Sequence, residues 1–153
     1  MRRTGIAAVT AFVASIAIIG AGAPNAQAAV SPAAATTGTP TLLYCATVFE
    51  DLQPFAKAST ALGSAGNTES VFLTALHGWS KKASSGAKKI AAVSAPEGTS
   101  AKVRSDVKNL ASVLRTAASE TKTIHTKAQL EHFLPTEKTM EKDVTTLTKA
   151  CGF

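Results

Sequence analysis

Two cysteines, Cys45 and Cys151, constrain this chain more than any other feature, because they lie about 106 residues apart near the two ends of one domain's length of chain. Neither cysteine has a second cysteine or a histidine at the spacing of a metal site. In an oxidising compartment two cysteines allow a single intramolecular pairing. We therefore predict a disulfide between them, which would contribute ~4–5 kcal/mol in the chain-entropy model.

The first 28 residues indicate that the chain is exported. Arg2 and Arg3 precede an uncharged apolar stretch, and Ala28 ends a small-residue pattern of the kind that a signal peptidase recognises. We predict a signal peptide at 1–28, cleaved after Ala28, and a bacterial protein that is secreted or held in the cell envelope. A retained N-terminal anchor is the alternative. No later stretch reaches the ~20 apolar residues of a spanning helix, so we expect no transmembrane span after cleavage.

The remaining chain has the size of one domain. Residues 29–40 are small and polar with interspersed prolines, and we predict a short disordered leader there, followed by a helical bundle domain at 41–153. The formal net charge of +6 falls to +4 when Arg2 and Arg3 are removed. This excess of positive charge favours anionic partners but is below that of a typical nucleic-acid binder.

Apolar side chains recur every three or four residues from Thr41 onward, a spacing typical of amphipathic helices. The first such pattern ends at a break rich in glycine and serine. Pro54 lies inside it, and because proline removes a backbone donor, we expect it to kink the helix or to restart it. The second pattern runs from about 68 to 94, with Asn67 or Thr68 as its N-cap.

The third pattern follows a short turn and extends to Ala128. A fourth begins at Leu130 on a different helical face, so we expect a break near 125–129. Pro135 is predicted to break or kink the chain again, and Thr136 to cap the helix that follows.

These four patterns, without strand-like alternation, predict an all-α fold, an up-down-up-down four-helix bundle closed by one disulfide. An even number of antiparallel helices returns the chain to the end at which it began. Cys45 and Cys151 are then neighbours, whereas three or five helices would separate them by ~30 Å, which no disulfide spans.

A search for catalytic chemistry is negative. The sequence contains no nucleophile-elbow, zinc-protease, dinucleotide-binding or phosphate-loop motif. His77, His125 and His132 show no spacing that favours metal binding, and we expect partly exposed bundle histidines with no metal and no cofactor. Glu137 is a polar interruption of the fourth apolar pattern. We therefore expect a protein that is not an enzyme.

The most suggestive polar feature is a group of four lysines on the second helix, Lys81, Lys82, Lys88 and Lys89. Two pairs at seven-residue spacing place all four on one side of a helix. This arrangement favours binding to an anionic envelope polymer or to lipid headgroups, and its alternative is a solvated face that keeps the protein soluble. Nucleic acid is not an expected partner, because arginine is scarce and aromatic residues do not alternate with the lysines.

Phe72, Trp79 and Phe133 fall on the inner stripes of the predicted helices. They are candidates for the lining of a ligand pocket, with bundle core as the alternative. The sequence therefore predicts an exported, non-enzymatic binding or interaction protein. The alternatives are a carrier of an apolar or haem-like ligand inside the bundle and a small secreted helical enzyme.

Overall fold

The computed structural model describes residues 40–66 and 68–152. The predicted signal peptide at 1–28, its cleavage site and nearly all of the predicted leader lie outside the described residues. The described part of the chain contains no strand and four α-helices, which confirms the all-α class and the number of helices. They are α1 (Pro40–Gly63), α2 (Glu69–Ala92), α3 (Ala101–Thr121) and α4 (Leu134–Cys151), with a short 3-10 helix at Lys127–His132 between α3 and α4.

Contacts at the two ends of the bundle show the direction of each helix. At one end Thr41 Oγ1, at the start of α1, accepts a hydrogen bond from the backbone N–H of Ser100, just before α3 (3.0 Å). At the other end the N–H of Lys127, beyond α3, donates to Glu69 Oε1 at the start of α2 (3.3 Å). Consecutive helices therefore run in opposite directions.

The predicted disulfide between Cys45 and Cys151 is confirmed, with 6.0 Å between the two Cα atoms. Helix α2 packs most extensively against α3, whereas α1 and α4 have few direct contacts. The covalent bond therefore joins the first and last helices, which pack against each other much less than helices that are consecutive in the chain. Beyond Cys151 the helix ends in the left-handed conformation at Gly152, whose positive φ of 82° suits glycine.

Helix α1 is continuous through Pro54, so the predicted restart of the helix is wrong. Proline removes the hydrogen bond to the carbonyl of Glu50, one turn earlier. Both residues are exposed, so water can satisfy that carbonyl. The helix begins at Pro40, in the first turn, where a backbone N–H has no partner within the helix and proline is therefore tolerated.

The connection between α3 and α4 differs from the sequence-based prediction. Helix α3 ends at Thr121, and Ala128 is exposed rather than part of the third stripe. The second break predicted near Pro135 lies at Phe133, between the 3-10 helix and α4. Pro135 follows in the first turn of α4, where a missing N–H costs nothing, and Thr136 lies inside α4 instead of capping it. A contact that the sequence did not suggest orders this turn: Gln129 Oε1 accepts the N–H groups of His125 (2.6 Å) and Thr126 (3.1 Å).

Glycines in and beside α2 allow a test of the backbone. A Cβ added at Gly78 would meet nothing within 4 Å, so we expect Gly78→Ala to raise the free energy of unfolding by about 1 kcal/mol through helix propensity. Gly66, just before α2, has a φ of +73°, so Gly66→Ala is expected to lower it by ~1–2 kcal/mol. Urea denaturation of both variants gives the two values, and equal signs would contradict the backbone described here.

The disulfide provides a second test. We expect a Cys45→Ala, Cys151→Ala double variant to lose ~4–5 kcal/mol of unfolding free energy, because the unfolded chain regains the entropy of a large closed loop. Chemical reduction of the unchanged protein is the control, since it should shift the urea midpoint by a similar amount without altering any side chain in the core. A loss below ~1 kcal/mol in both experiments would show that packing alone holds α1 to α4.

Candidate anion-binding surface

The packing of α2 determines where its four lysines lie. One side of this helix is buried in the core over its whole length, from Phe72 near its start to Ile90 near its end. The opposite side faces solvent, and all four lysines of the predicted site are exposed there. Because each pair is separated by seven residues, its members lie ~10 Å apart along the helix axis. We call Lys81, Lys82, Lys88 and Lys89 the α2 lysine face.

One of these lysines has an acidic neighbour. Lys89 Nζ lies 3.5 Å from Asp51 Oδ1 on α1, and both side chains keep access to water, so the pair contributes little stability. Within the described residues Lys81, Lys82 and Lys88 form no salt bridge. Three ammonium groups of the α2 lysine face are therefore open to an anionic partner.

The surrounding charge is unevenly distributed along the chain. Residues 69–122, which span α2 and α3 up to the residue after Thr121, contain nine lysines and arginines against four acidic residues. The rest of the chain from residue 29 onward contains five against six. The excess of positive charge in residues 29–153 therefore belongs to the half of the bundle built from α2 and α3.

Sequence reasoning missed three cations that contribute to this asymmetry. Lys108, Arg115 and Lys122, on and just beyond α3, are exposed and recur at intervals of seven residues. The same spacing drew attention to the lysines of α2 and could have identified these three. Their position relative to α2 depends on how the two helices pack, which the spacing alone does not reveal.

The three candidate pocket residues all belong to the hydrophobic core. Trp79 is 1% exposed, its ring lies edge-on to Phe133 with 5.8 Å between centroids, and the Phe55 ring is 5.4 Å away. The indole N–H of Trp79 donates to Ser59 Oγ (2.9 Å). Phe72 is also buried, at the end of the bundle near the 3-10 helix. These contacts are those of packed core side chains, and a ligand among them stays a prediction.

An apolar groove lies elsewhere, at the turn between α1 and α2. Its volume is about 440 Å³, and it is open to solvent. It is lined by Ala61, Ala65, Ser70, Val71, Thr74 and Ala75. None of the aromatic residues that the sequence singled out lines it.

Glu137 is the one charged residue that is buried in the described part of the chain. It is 6% exposed on the inner side of α4, among apolar side chains. Burial raises the pKa of its carboxyl, the neighbouring charge of Glu141 raises it further, and Lys138 partly offsets both. Ionisation of Glu137 therefore opposes folding.

In the described part of the chain no three side chains among His, Cys, Asp and Glu come together in a way that could hold a metal ion. No helix in residues 40–66 and 68–152 has both the length and the apolar character required to cross a membrane. Comparison with protein-family models, with curated proteins and with solved structures finds no match to this chain.

Glu137 leads to a pH-dependent test. Its folded-state pKa lies above the ordinary value, so the folded protein holds this proton more tightly than the unfolded chain. That contribution to stability is present at low pH and is lost as the pH rises through the ordinary pKa and then the folded-state pKa. We expect Glu137→Gln to raise the free energy of unfolding at pH 7, with a smaller gain at pH 4.

The matched control is Glu97→Gln, which removes an exposed carboxylate in the turn between α2 and α3. It should change the unfolding free energy little at either pH. Urea unfolding followed by circular dichroism at several pH values measures both variants. A Glu137→Gln protein that is less stable than the parent at pH 7 would show that the carboxylate makes stabilising contacts.

Proposed function

We propose that this protein is an exported, non-enzymatic binding protein whose α2 lysine face attaches it to an anionic polymer of the cell envelope. The observation that carries the proposal is the concentration of exposed cations on one side of a rigid helix, three of them without a salt bridge within the described residues. Such a surface attracts polyanions at low ionic strength and releases them as salt screens the charges.

A polymer is favoured over lipid headgroups because the lysines have no apolar companions. A helix that lies on a membrane inserts an apolar face next to its basic residues. The apolar face of α2 is buried in the bundle core. Val71 is the one large hydrophobic residue of α2 described as exposed, and it lies ten residues, or ~15 Å, before Lys81.

The ligand-carrier alternative has less support. An apolar or haem-like guest would have to separate Trp79 from Phe133 and leave the indole N–H without its Ser59 partner. Burying an unpaired donor is unfavourable, so a guest would need to compensate for it. The alternative of a small secreted enzyme draws on no particular group of side chains among the described residues.

The test is retention on an immobilised polyanion. The mature protein should bind a polyphosphate column at low salt, and a variant with all four lysines of the α2 lysine face changed to Gln should elute at distinctly lower salt. Each cation close to an anionic surface contributes on the order of 1 kcal/mol, so we expect the four changes together to weaken binding by about a hundredfold or more. Anionic lipid vesicles, tested in parallel, identify a membrane partner if they retain the protein and polyphosphate does not.

The control variant changes four exposed lysines elsewhere, namely Lys57, Lys138, Lys142 and Lys149, to Gln. The two variants have the same net charge, so a difference between them reports the location of the charge rather than its total. Equal loss of retention in both would mean that overall charge, not the α2 lysine face, attracts the polymer. No retention of the parent protein at low salt would remove the proposal.

A further inference from the structure

We infer that the polymer lies along the seam between α2 and α3, where Lys81 and Lys88 of α2 and three cations of α3 form two parallel rows. The α3 row consists of Lys108, Arg115 and Lys122. This inference rests on the proposed function and adds the direction of the bound chain, its minimum length and the α3 residues that hold it. We call these five residues the seam ladder.

The alignment of the two rows follows from one buried contact. Ser80 Oγ donates a hydrogen bond to the backbone carbonyl of Ala118 (2.8 Å), so these two residues lie at the same height on α2 and α3. Because the helices are antiparallel, one step up α2 corresponds to one step down α3. Arg115 is then two residues from level with Lys81, which is ~3 Å along the helix axis.

The same counting places the remaining cations. Along the helix axis, Lys108 is two residues away from the height of Lys88. Lys122 lies beyond the pair Lys81 and Arg115, close to the height of the exposed His77. The pairs Lys88 with Lys108 and Lys81 with Arg115 form two rungs, and Lys122 marks a third. Successive rungs are seven residues, or ~10.5 Å, apart, so the seam ladder is ~21 Å long.

Contacts on either side of α2 show which of its lysines face the seam. Ser80 marks the side toward α3, whereas Gly86 faces α1, since a Cβ there would lie 3.5 Å from Leu52 Cδ2. At 100° per residue around the axis of α2, Lys81 and Lys88 lie next to Ser80 on the side that faces solvent. Lys82 and Lys89 are turned toward α1, as the salt bridge from Lys89 to Asp51 confirms.

The three cations of the α3 row lie on the solvent side of the same seam. Arg115 and Lys122 lie three residues before and four residues after Ala118, which are neighbouring positions on a helix surface. Lys108 continues this row one heptad earlier, shifted by only ~20°. All three side chains are exposed, and each lacks a salt bridge in the described part of the chain.

The acidic residues of α3 lie away from the seam. Asp106 lies nine residues before Arg115, which places the two side chains on opposite sides of α3. Burial raises the pKa of Asp143 on α4, Lys142 lowers it, and the charge of Asp106 raises it further, which agrees with that position. Asp106 is also paired with Lys102 (2.7 Å). Glu120 is two residues from Ala118 and therefore points ~160° from it around the helix. The seam ladder thus presents positive charge over its length, which complements a linear chain with closely repeated negative charges.

Two parallel rows of cations separated by a helix seam suit a linear polyanion that runs parallel to the helix axes. A chain in this position can contact both rows at once, whereas a chain that crosses the helices meets one rung. The affinity should therefore rise with polymer length until the chain spans ~21 Å and should then increase only slowly, because simultaneous contact with all rungs requires that span.

The experiment compares Lys108→Gln, Arg115→Gln, Lys122→Gln in one triple variant with a matched triple variant on α4. The control changes Lys138, Lys142 and Lys149 to Gln, which alters the net charge equally. Binding to polyphosphate longer than the seam ladder is measured by fluorescence anisotropy, and circular dichroism checks that each variant is folded. We expect the α3 variant to bind about tenfold or more weakly and the α4 variant within about threefold of the parent.

A second comparison lies within α2. Lys81→Gln, Lys88→Gln should weaken binding more than Lys82→Gln, Lys89→Gln, although both remove two lysines from the α2 lysine face. Polyphosphate too short to span ~21 Å should bind the parent protein weakly and should distinguish the α3 variant from the parent less clearly than the long polymer does.

The outcomes separate the two proposals. If the four-lysine variant of α2 loses binding but the α3 variant behaves like the α4 control, the proposed function stands and the seam ladder is wrong. If the two double variants of α2 are equally impaired, the seam ladder is also wrong. If neither the α2 nor the α3 changes weaken binding beyond the α4 control, both proposals fail.

Discussion

The bond between Cys45 and Cys151 joins the first and last helices, which pack against each other much less than consecutive helices do. Three of the four neighbouring helix pairs in this bundle are also connected through short stretches of chain, so their contacts form at little entropic cost. The first and last helices lack that advantage, because residues 64–133 lie between them. A covalent bond at the end where both chain termini of the bundle meet compensates for this difference. The other features of the structure depend on the resulting closed arrangement.

Within that arrangement α2 and α3 form the most extensive contact, and their positions carry the functional argument. The buried hydrogen bond from Ser80 to the Ala118 carbonyl sets the relative height of the two helices. A shift of one helical turn would displace the cations of one row against the other by ~5 Å and would disrupt the rungs. The alignment of the two helices in the core thus fixes the relative heights of the cations on the surface.

The two carboxylates at opposite sides of this pattern show how the bundle distributes charge. Glu137 on α4 is buried where its ionisation opposes folding, and Asp51 on α1 lies beside Lys89 at the edge of the α2 lysine face. Asp106 and Glu120 of α3 lie on helix positions that are turned away from the seam. The basic side of the bundle is therefore not the result of a high total charge. It arises because the excess of lysine and arginine belongs to α2 and α3, whereas α1 and α4 carry charges of both signs.

Helical periodicity predicted the four helices, their inner stripes and, through the even number of helices, the disulfide. These features depend on apolar spacing along one chain, which the sequence displays directly. The details of the connection between α3 and α4 were not predictable in this way. Pro135 can break a helix or begin one, and only the surrounding packing determines which occurs. Ala128 fits the apolar spacing of the third helix, although it lies beyond the end of α3.

The same distinction holds for the surface. The sequence by itself determined that Lys81, Lys82, Lys88 and Lys89 share one side of α2, because a seven-residue spacing is nearly two complete turns of a helix. It could not determine that Ser80 contacts α3 while Lys89 pairs with α1, nor at what height the cations of α3 lie relative to those of α2. Those relations involve the rotation and height of one helix against another, which depend on how side chains from both helices fit together. Only the tertiary structure decided them.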